Sequence, residues 1–272
     1  AEESAERILE VLDMDLHIQD PVTAEYLDDA DQVFLELRDV GFGFKGAERD
    51  AVCDIDIEAK PGDTLAIIGG TGSGKTTIAN LISRLYEATS GQVLLNGIDI
   101  RSLTQKELRE NIGFAPQQAI LFSGTIRSNL QYGNPQADDE DMWHALSIAQ
   151  ADFVEDLDQR VEAGGRNFSG GQRQRLSIAR ALVSRPNIYI FDDSFSALDF
   201  KTDAKLRAAL EPETEDAILI IIAQRVNTVM DADEILVLDS GRIVGRGSHE
   251  ELLETNALYQ DIVSSQMKGA GE

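Results

Sequence analysis

One cysteine, Cys53, one tryptophan, Trp143, and six prolines stand in 272 residues. A lone cysteine excludes an internal disulfide framework and suits a reducing compartment; Cys53 reads as a packing residue. Long apolar runs are missing as well. The longest strongly apolar stretch is Ala217 to Ala223, far short of the ~20 residues a membrane-spanning helix needs, and no secretory signal pattern appears. Positive charge is scarce: 24 Lys and Arg stand against 49 Asp and Glu, a net charge of −25, which opposes attachment to nucleic acid or to an anionic lipid surface. A DNA-handling role is disfavoured on that ground. The excess is uneven, because residues 1–32 hold eleven acidic residues and one basic residue, Arg7, and read as a solvated acidic leader. Within it Ile8, Leu9 and Leu12 have helical spacing. The chain starts at Ala1 and reads as the end of something larger, although a trimmed N-terminus has the same appearance. His17, His144 and His249 match no metal-ligand spacing. Trp143 reads as core.

What is present in force is alternation of β and α signals. Val33 to Arg38 and Cys53 to Glu58 alternate apolar with polar residues, as strands with one solvated face do. Asn96-Gly97 between Gln92–Leu95 and Ile98–Ile100 signals a hairpin. Ile188–Phe191, Ile218–Ile222 and Ile235–Leu238 are continuous apolar runs of the kind found in strands covered on both faces. The class is therefore α/β with a mostly parallel central sheet. From about 117 to 185 strand signals give way to helical ones, at Asp138–Leu157 and Gln172–Val183, which reads as a helical insertion.

Chemistry enters at Gly69-Gly70-Thr71-Gly72-Ser73-Gly74-Lys75-Thr76-Thr77, which follows the apolar run Leu65–Ile68 and leads into a helical pattern. It fits the phosphate loop G-x-x-x-x-G-K-[ST] in its strand-loop-helix setting. Glycines let successive N–H groups turn toward phosphate oxygens, Lys75 brings positive charge to the outer phosphates, and Thr76 offers a hydroxyl to Mg²⁺. The sequence thus reads as nucleotide-binding. A second marker, Ile188-Tyr189-Ile190-Phe191-Asp192-Asp193, delivers two carboxylates at a strand's C-terminal end, where open α/β sheets bind ligands. Such pairs also serve as turns and caps; beside a phosphate loop, Asp192 reads as the Mg²⁺ carboxylate.

Phe168-Ser169-Gly170-Gly171-Gln172, followed by Arg173-Gln174-Arg175, resembles the signature L-S-G-G-Q-x-Q-R of ATP-binding cassette proteins, and the likeness covers about Val33 to about Met267. The chain resembles the nucleotide-binding domain of an ABC exporter. That resemblance implies an ABC-type P-loop NTPase fold over 33–272, with an antiparallel β subdomain and a helical subdomain at about 117–185, preceded by a 1–32 linker after a transmembrane domain. It implies ATP and Mg²⁺ as ligands. Phe44 stands where the family stacks a ring on adenine, or else it simply packs. Gln117 stands at the loop glutamine that touches Mg²⁺, so that Thr76, Gln117 and Asp192 form the metal set. Ser196-Ala197-Leu198-Asp199 matches the loop that crosses the dimer interface. Glu162-Ala163 departs from the family's usual Gly-Glu.

Two departures carry most weight. Asp193 replaces the catalytic Glu and Gln224 replaces the switch His. Asp is one methylene shorter, and ~1 Å of misplacement costs on the order of 10²-fold in rate; Gln hydrogen-bonds but carries no imidazolium charge. The expectation is a degenerate, low-turnover site in this chain, with the intact signature lent to a competent site on a second, non-identical subunit that supplies Glu and His. Transmembrane domains in cis and in trans, a location at the cytoplasmic face of a membrane and no nucleic-acid partner complete the expectation. Chromosome-maintenance ATPases separate loop and signature by a long coiled coil, whereas here about 95 residues do. An importer ATPase subunit and a non-hydrolysing regulatory module are the remaining alternatives.

Overall fold

The computed structural model describes residues 18–27 and 33–269; the helical pattern at 5–12 and His17 lie outside them. The chain first lays down β1 (Leu35–Phe42) and β2 (Val52–Ala59), then β3 (Thr64–Gly69) and α1 (Lys75–Ile82). A hairpin of β4 (Ser90–Leu95) and β5 (Ile98–Asp99) leads to α2 (Gln105–Glu110) and β6 (Ile112–Ala115). Next come β7 (Gly124–Thr125), α3 (Ile126–Leu130), α4 (Asp139–Ile148), β8 (Arg160–Val161) and α5 (Gly170–Leu182). The chain closes with β9 (Ile188–Asp192), α6 (Phe200–Leu210), β10 (Ile218–Ala223), α7 (Val226–Val229), β11 (Glu234–Asp239), β12 (Arg242–Gly247), α8 (His249–Thr255) and α9 (Ala257–Gly269).

The main sheet has six strands in the order β12-β11-β3-β10-β9-β6, parallel except for the edge strand β12. Its inner strands β3, β10 and β9 are almost wholly apolar because both faces are covered. Side chains alternate between two cores: Ile68, Phe191, Leu219 and Ile221 face the helical layer, while Ile67, Ile190, Ile220 and Ile222 face the other. The second core is closed by α1 and by an antiparallel sheet in the order β2-β1-β4-β5. Asn96-Gly97 makes the expected tight turn, with Asn96 at φ 50 and Gly97 at φ 78.

Several sequence expectations need correction. Residues 117–185 carry the helices α3, α4 and α5 but also the short antiparallel pair β7-β8. β6 and β12 had no distinct sequence signal. Cys53 is only half-buried, because the β1-β2 register slips at Val40 and Phe42 and Asp54 takes a left-handed φ of 52. That bulge puts Val52, rather than Cys53, in the core with Ile55 and Ile57. Trp143 is 40% exposed on α4, whose buried face is Met142, Ala145, Leu146 and Ile148.

Residues 18–27 run as a strap over α2 and the turn before it. Gln105 N donates to Asp20 Oδ1 at 2.8 Å and Leu27 N to Glu107 Oε1 at 2.7 Å. Glu25 N donates to Ser102 O at 2.9 Å. The buried Arg84 reaches Gln19 O at 2.9 Å while also donating to Ile100 O and Leu103 O.

One tight approach between layers is where α5 lies on β6. A Cβ at Gly113 would stand 2.4 Å from Ala181 O and 2.7 Å from Pro186 Cγ, so only hydrogen fits. Gly113→Ala is expected to cost about 1–3 kcal/mol through overpacking, measured as a lowered midpoint of chemical denaturation with unchanged slope.

Candidate functional site

Four loops leave the carboxyl ends of adjacent parallel strands and meet at one cavity of about 300 Å³. From β3 come Thr71, Gly72, Gly74, Lys75, Thr76 and Thr77; from β6 comes Gln117; from β9 come Asp192 and Asp193; from β10 comes Gln224. Phe44, beyond β1, Ala51, before β2, and Ile222 and Ala223 of β10 complete the wall. Sequence reasoning named all of these as site residues except Ala51, Ile222 and Ala223, whose types give no signal of a site.

The phosphate loop is built as a turn that only glycine tolerates at its end. Gly74 has φ 107 and caps α1, and a Cβ there would lie 2.8 Å from Ala51 O. Lys75 opens the helix and folds back, its Nζ donating to Gly69 O at 2.9 Å and Gly70 O at 2.7 Å. Ser73 and Gly70 stand outside the cavity wall: the Ser73 side chain is buried, and its backbone carbonyl accepts from Gly241 N at 3.0 Å.

Strand ends are pinned to one another. Asp193 N donates to Ile222 O at 2.7 Å, and the buried Ser194 hydroxyl donates to Ala115 O at 2.8 Å. Asp193 sits at φ 46, a left-handed conformation that short polar side chains such as Asp adopt most readily. Its Oδ2 accepts from Gln117 Nε2 at 3.4 Å. The buried Gln174 of α5 donates to Pro116 O at 3.3 Å, tying the α5 helix to the loop that carries Gln117.

Charge is confined here. Lys75 and Asp192 are both buried. Desolvation lowers the Lys75 pKa against the pull of Asp192 and Asp193. Asp192 is raised, first by its own burial and further by Asp193, while the hydrogen bond from Thr76 and the Lys75 charge oppose the rise. The carboxylate is thus under-compensated by protein alone, and no group of three acidic, His or Cys ligands occurs among the described residues. Thr76, Gln117 and Asp192 therefore suit a hard cation that takes its other oxygens from phosphate and water.

Phe44 is 49% exposed, yet its ring is aimed. It meets Phe42 and Tyr86 edge-on, at centroid distances of 4.9 and 5.6 Å, while Phe42 and Tyr86 stack at 5.0 Å. Tyr86 lies two turns past the loop and was not foreseen. The Phe44 ring also forms part of the cavity lining.

The second group of sequence-predicted residues lies outside this cavity. Ser169 caps α5 through a reciprocal box with Gln172, whose N–H donates to Ser169 Oγ at 3.2 Å while Gln172 Oε1 accepts from Ser169 N at 2.8 Å. Ser169 and Gly170 are exposed and Gly171 half-exposed. Phe168 instead is buried, its ring centroid 6.0 Å from that of Phe153. Ser196–Asp199 packs beside the cap, since a Cβ at Gly171 would be 3.1 Å from Ala197 O. Ser196 Oγ donates to Asp193 O at 2.7 Å, Leu198 is buried, and Asp199 caps α6 by accepting from Lys201 N and Thr202 N. The loop therefore joins the cavity floor to the exposed cap. His144 and His249 are engaged elsewhere, with Glu213 and with Tyr259.

Among the described residues no helix is long and apolar enough to cross a membrane. The ABC transporter family profile matches residues 52–196. An uncharacterized ABC transporter ATP-binding protein of Mycobacterium tuberculosis is 45% identical over 98% of this chain and 47% of its own length. A beta-(1-->2)glucan export ATP-binding/permease protein of Rhodopseudomonas palustris is 41% identical over 86% of this chain and 40% of its own. Among solved structures, a bacterial Atm1-family ABC exporter with ATP bound superposes with a TM-score of 0.89 at 33% identity, over 96% of this chain and 47% of that one. The chain thus spans about half the length of these relatives, and its fold is the α/β P-loop fold of an ABC exporter's nucleotide-binding domain. With the phosphate loop, the strand-end carboxylates and the capped signature helix in one body, this chain belongs to the ABC transporter family, as an ATP-binding domain.

Proposed function

We propose that this chain is the low-turnover half of a heterodimeric ABC exporter: it holds Mg-ATP at a degenerate site and lends its signature to a competent site on a non-identical partner. The observation that carries this reading is the convergence of Lys75, Thr76, Gln117, Asp192, Asp193 and Gln224 on one cavity while Ser169, Gly170 and Gly171 face outward, away from it. A cap of N–H groups and a hydroxyl at a helix start is an anion site, and here it is open to solvent at Ser169 and Gly170.

In this reading Phe44 stacks on the adenine and the N–H groups of 70–77 cradle the phosphates. Lys75 leaves Gly69 O and Gly70 O for the outer phosphates, a ligand exchange that gives its buried charge a stronger partner. Thr76, Gln117 and Asp192 hold Mg²⁺, which when bound neutralises charge on the phosphate oxygens. Asp193 reaches toward the attacking water from one methylene further back than Glu, and Gln224 donates to the terminal phosphate without a charge or a proton to give. Both changes favour retention of the nucleotide over cleavage. Ser196–Asp199 belongs to the interface with the partner. The division into a 1–32 linker and a 33–272 domain, transmembrane domains in both polypeptides and a position at the cytoplasmic membrane face belong to the same reading. The permease part named in the Rhodopseudomonas relative supports it, as does the share of that relative this chain leaves uncovered. The net charge of −25 supports a protein rather than a nucleic-acid partner.

Steady-state ATPase assays test the reading. The chain alone is expected to bind Mg-ATP and hydrolyse it slowly, and mixing with a subunit that carries Glu and His at the matching places should restore turnover; brisk hydrolysis by this chain alone overturns the assignment. Restoring both groups, Asp193→Glu with Gln224→His, is expected to raise turnover of a symmetric assembly by about 10- to 100-fold. Ser169→Ala should leave Mg-ATP affinity of the isolated chain unchanged and lower turnover of the mixed pair on the order of 10²-fold, a split visible by titration and assay of the same preparation.

A further inference from the structure

The segment that presents Gln224 to the cavity is held by a residue far from it in sequence. Directly after Gln224, Arg225 takes the N-cap position of the one-turn helix α7 and offers no side-chain acceptor to it. Its guanidinium points the other way, Nη2 donating to Ser196 O at 2.7 Å. A helix start leaves N–H groups without intrahelical partners, and at α7 the missing acceptor comes from α9. Gln266 Oε1 accepts from Val226 N at 2.9 Å, and Gln266 Nε2 donates to Gln224 O at 2.7 Å. One planar amide therefore closes on both sides of Arg225. The demands of the two backbone groups fix which end of the amide faces which, since only nitrogen donates and only oxygen accepts.

The arm that carries this amide is rigidly seated. Tyr259 is fully buried and Val263 nearly so. The Tyr259 hydroxyl is bonded to His249 Nδ1 at 2.7 Å, and Tyr259 N donates to Asn256 Oδ1 at 2.9 Å. Asn256 in turn donates to Val244 O of β12 at 2.9 Å. Among the described residues the exposed Gln224 side chain has no hydrogen-bond partner of its own: its placement depends on its backbone, which is gripped by Arg225 toward Ser196 and by Gln266 toward α9.

We propose that Gln266 is a positioning residue for Gln224, so that the ability of the cavity to tell ATP from ADP depends on a side chain of the C-terminal helix that never enters it. The inference rests on the reading of the cavity as a nucleotide site with Gln224 toward the terminal phosphate. Losing the bridge frees the Gln224 backbone, and a loosened donor costs affinity only where a terminal phosphate is present to receive it.

Two variants separate positioning from bulk support. Gln266→Met keeps the length and removes both hydrogen bonds; Gln266→Glu keeps the acceptor for Val226 N–H but sets a carboxylate against Gln224 O. Mg-ATP and Mg-ADP affinities are measured by titration calorimetry on the 272-residue chain. The expected result is a fall of about fivefold in Mg-ATP affinity for Gln266→Met, an equal or larger fall for Gln266→Glu, and unchanged Mg-ADP affinity for both. The double variant Gln224→Ala/Gln266→Met should be no weaker than Gln224→Ala alone. Equal losses for both nucleotides, additive losses in the double variant, or an unchanged ATP preference where Gln224→Ala reduces it would each overturn the inference and leave the nucleotide-site reading intact. If Lys75→Ala and Gln224→Ala both left nucleotide affinity untouched, the reading itself would fall, and the inference with it.

Discussion

Parallel pairing of β3, β10, β9 and β6 is the constraint on which the rest of the molecule depends. In parallel strands all carboxyl ends lie at one edge, so the loops that follow them are delivered to one place. The pairing is in turn forced by burial. Strands such as Ile218–Ala223 have no polar face to give to water, and each must be covered on both sides. The helical layer covers one side, and the antiparallel sheet with α1 covers the other. Hydrogen bonds across the strand ends, Asp193 N to Ile222 O and Ser194 Oγ to Ala115 O, then fix the loops relative to one another.

That convergence creates an electrostatic problem. Lys75 and Asp192 are drawn out of water beside a second carboxylate, and desolvation shifts each toward its neutral form. The protein answers part of it with backbone carbonyls for Lys75 and the Thr76 hydroxyl for Asp192. In the proposed reading, a metal-bound polyphosphate would answer the rest, its cation facing Asp192 and its anion facing Lys75.

The catalytic-type motifs were legible because each is a local string whose spacing has a mechanical reason. A turn needing left-handed backbone needs Gly74, and a strand followed by carboxylates places Asp192 at an edge. The parallel core strands were legible for the same kind of reason, as runs of four or more apolar residues. Elements without such strings were not. β12, Arg242–Gly247, is an edge strand with neither face fully buried, and β6 is four residues long with Gly113 inside it. Cys53 was misplaced because a bulge at Asp54 reverses the alternation, and nothing in the composition of that strand announces it. Trp143 was misjudged on residue type alone; its helix has a sufficient apolar face without it. The Gln266 bridge spans 40 residues, and a glutamine in a polar helix end carries no mark of what it will touch.

The strap formed by residues 18–27 has a mechanical meaning. It is stitched to Arg84, Ser102, Gln105 and Glu107, all on the side of the domain that carries β4, β5 and α2. A pull on this strap would therefore be felt first by α2 and the turn before it, which its backbone bonds hold.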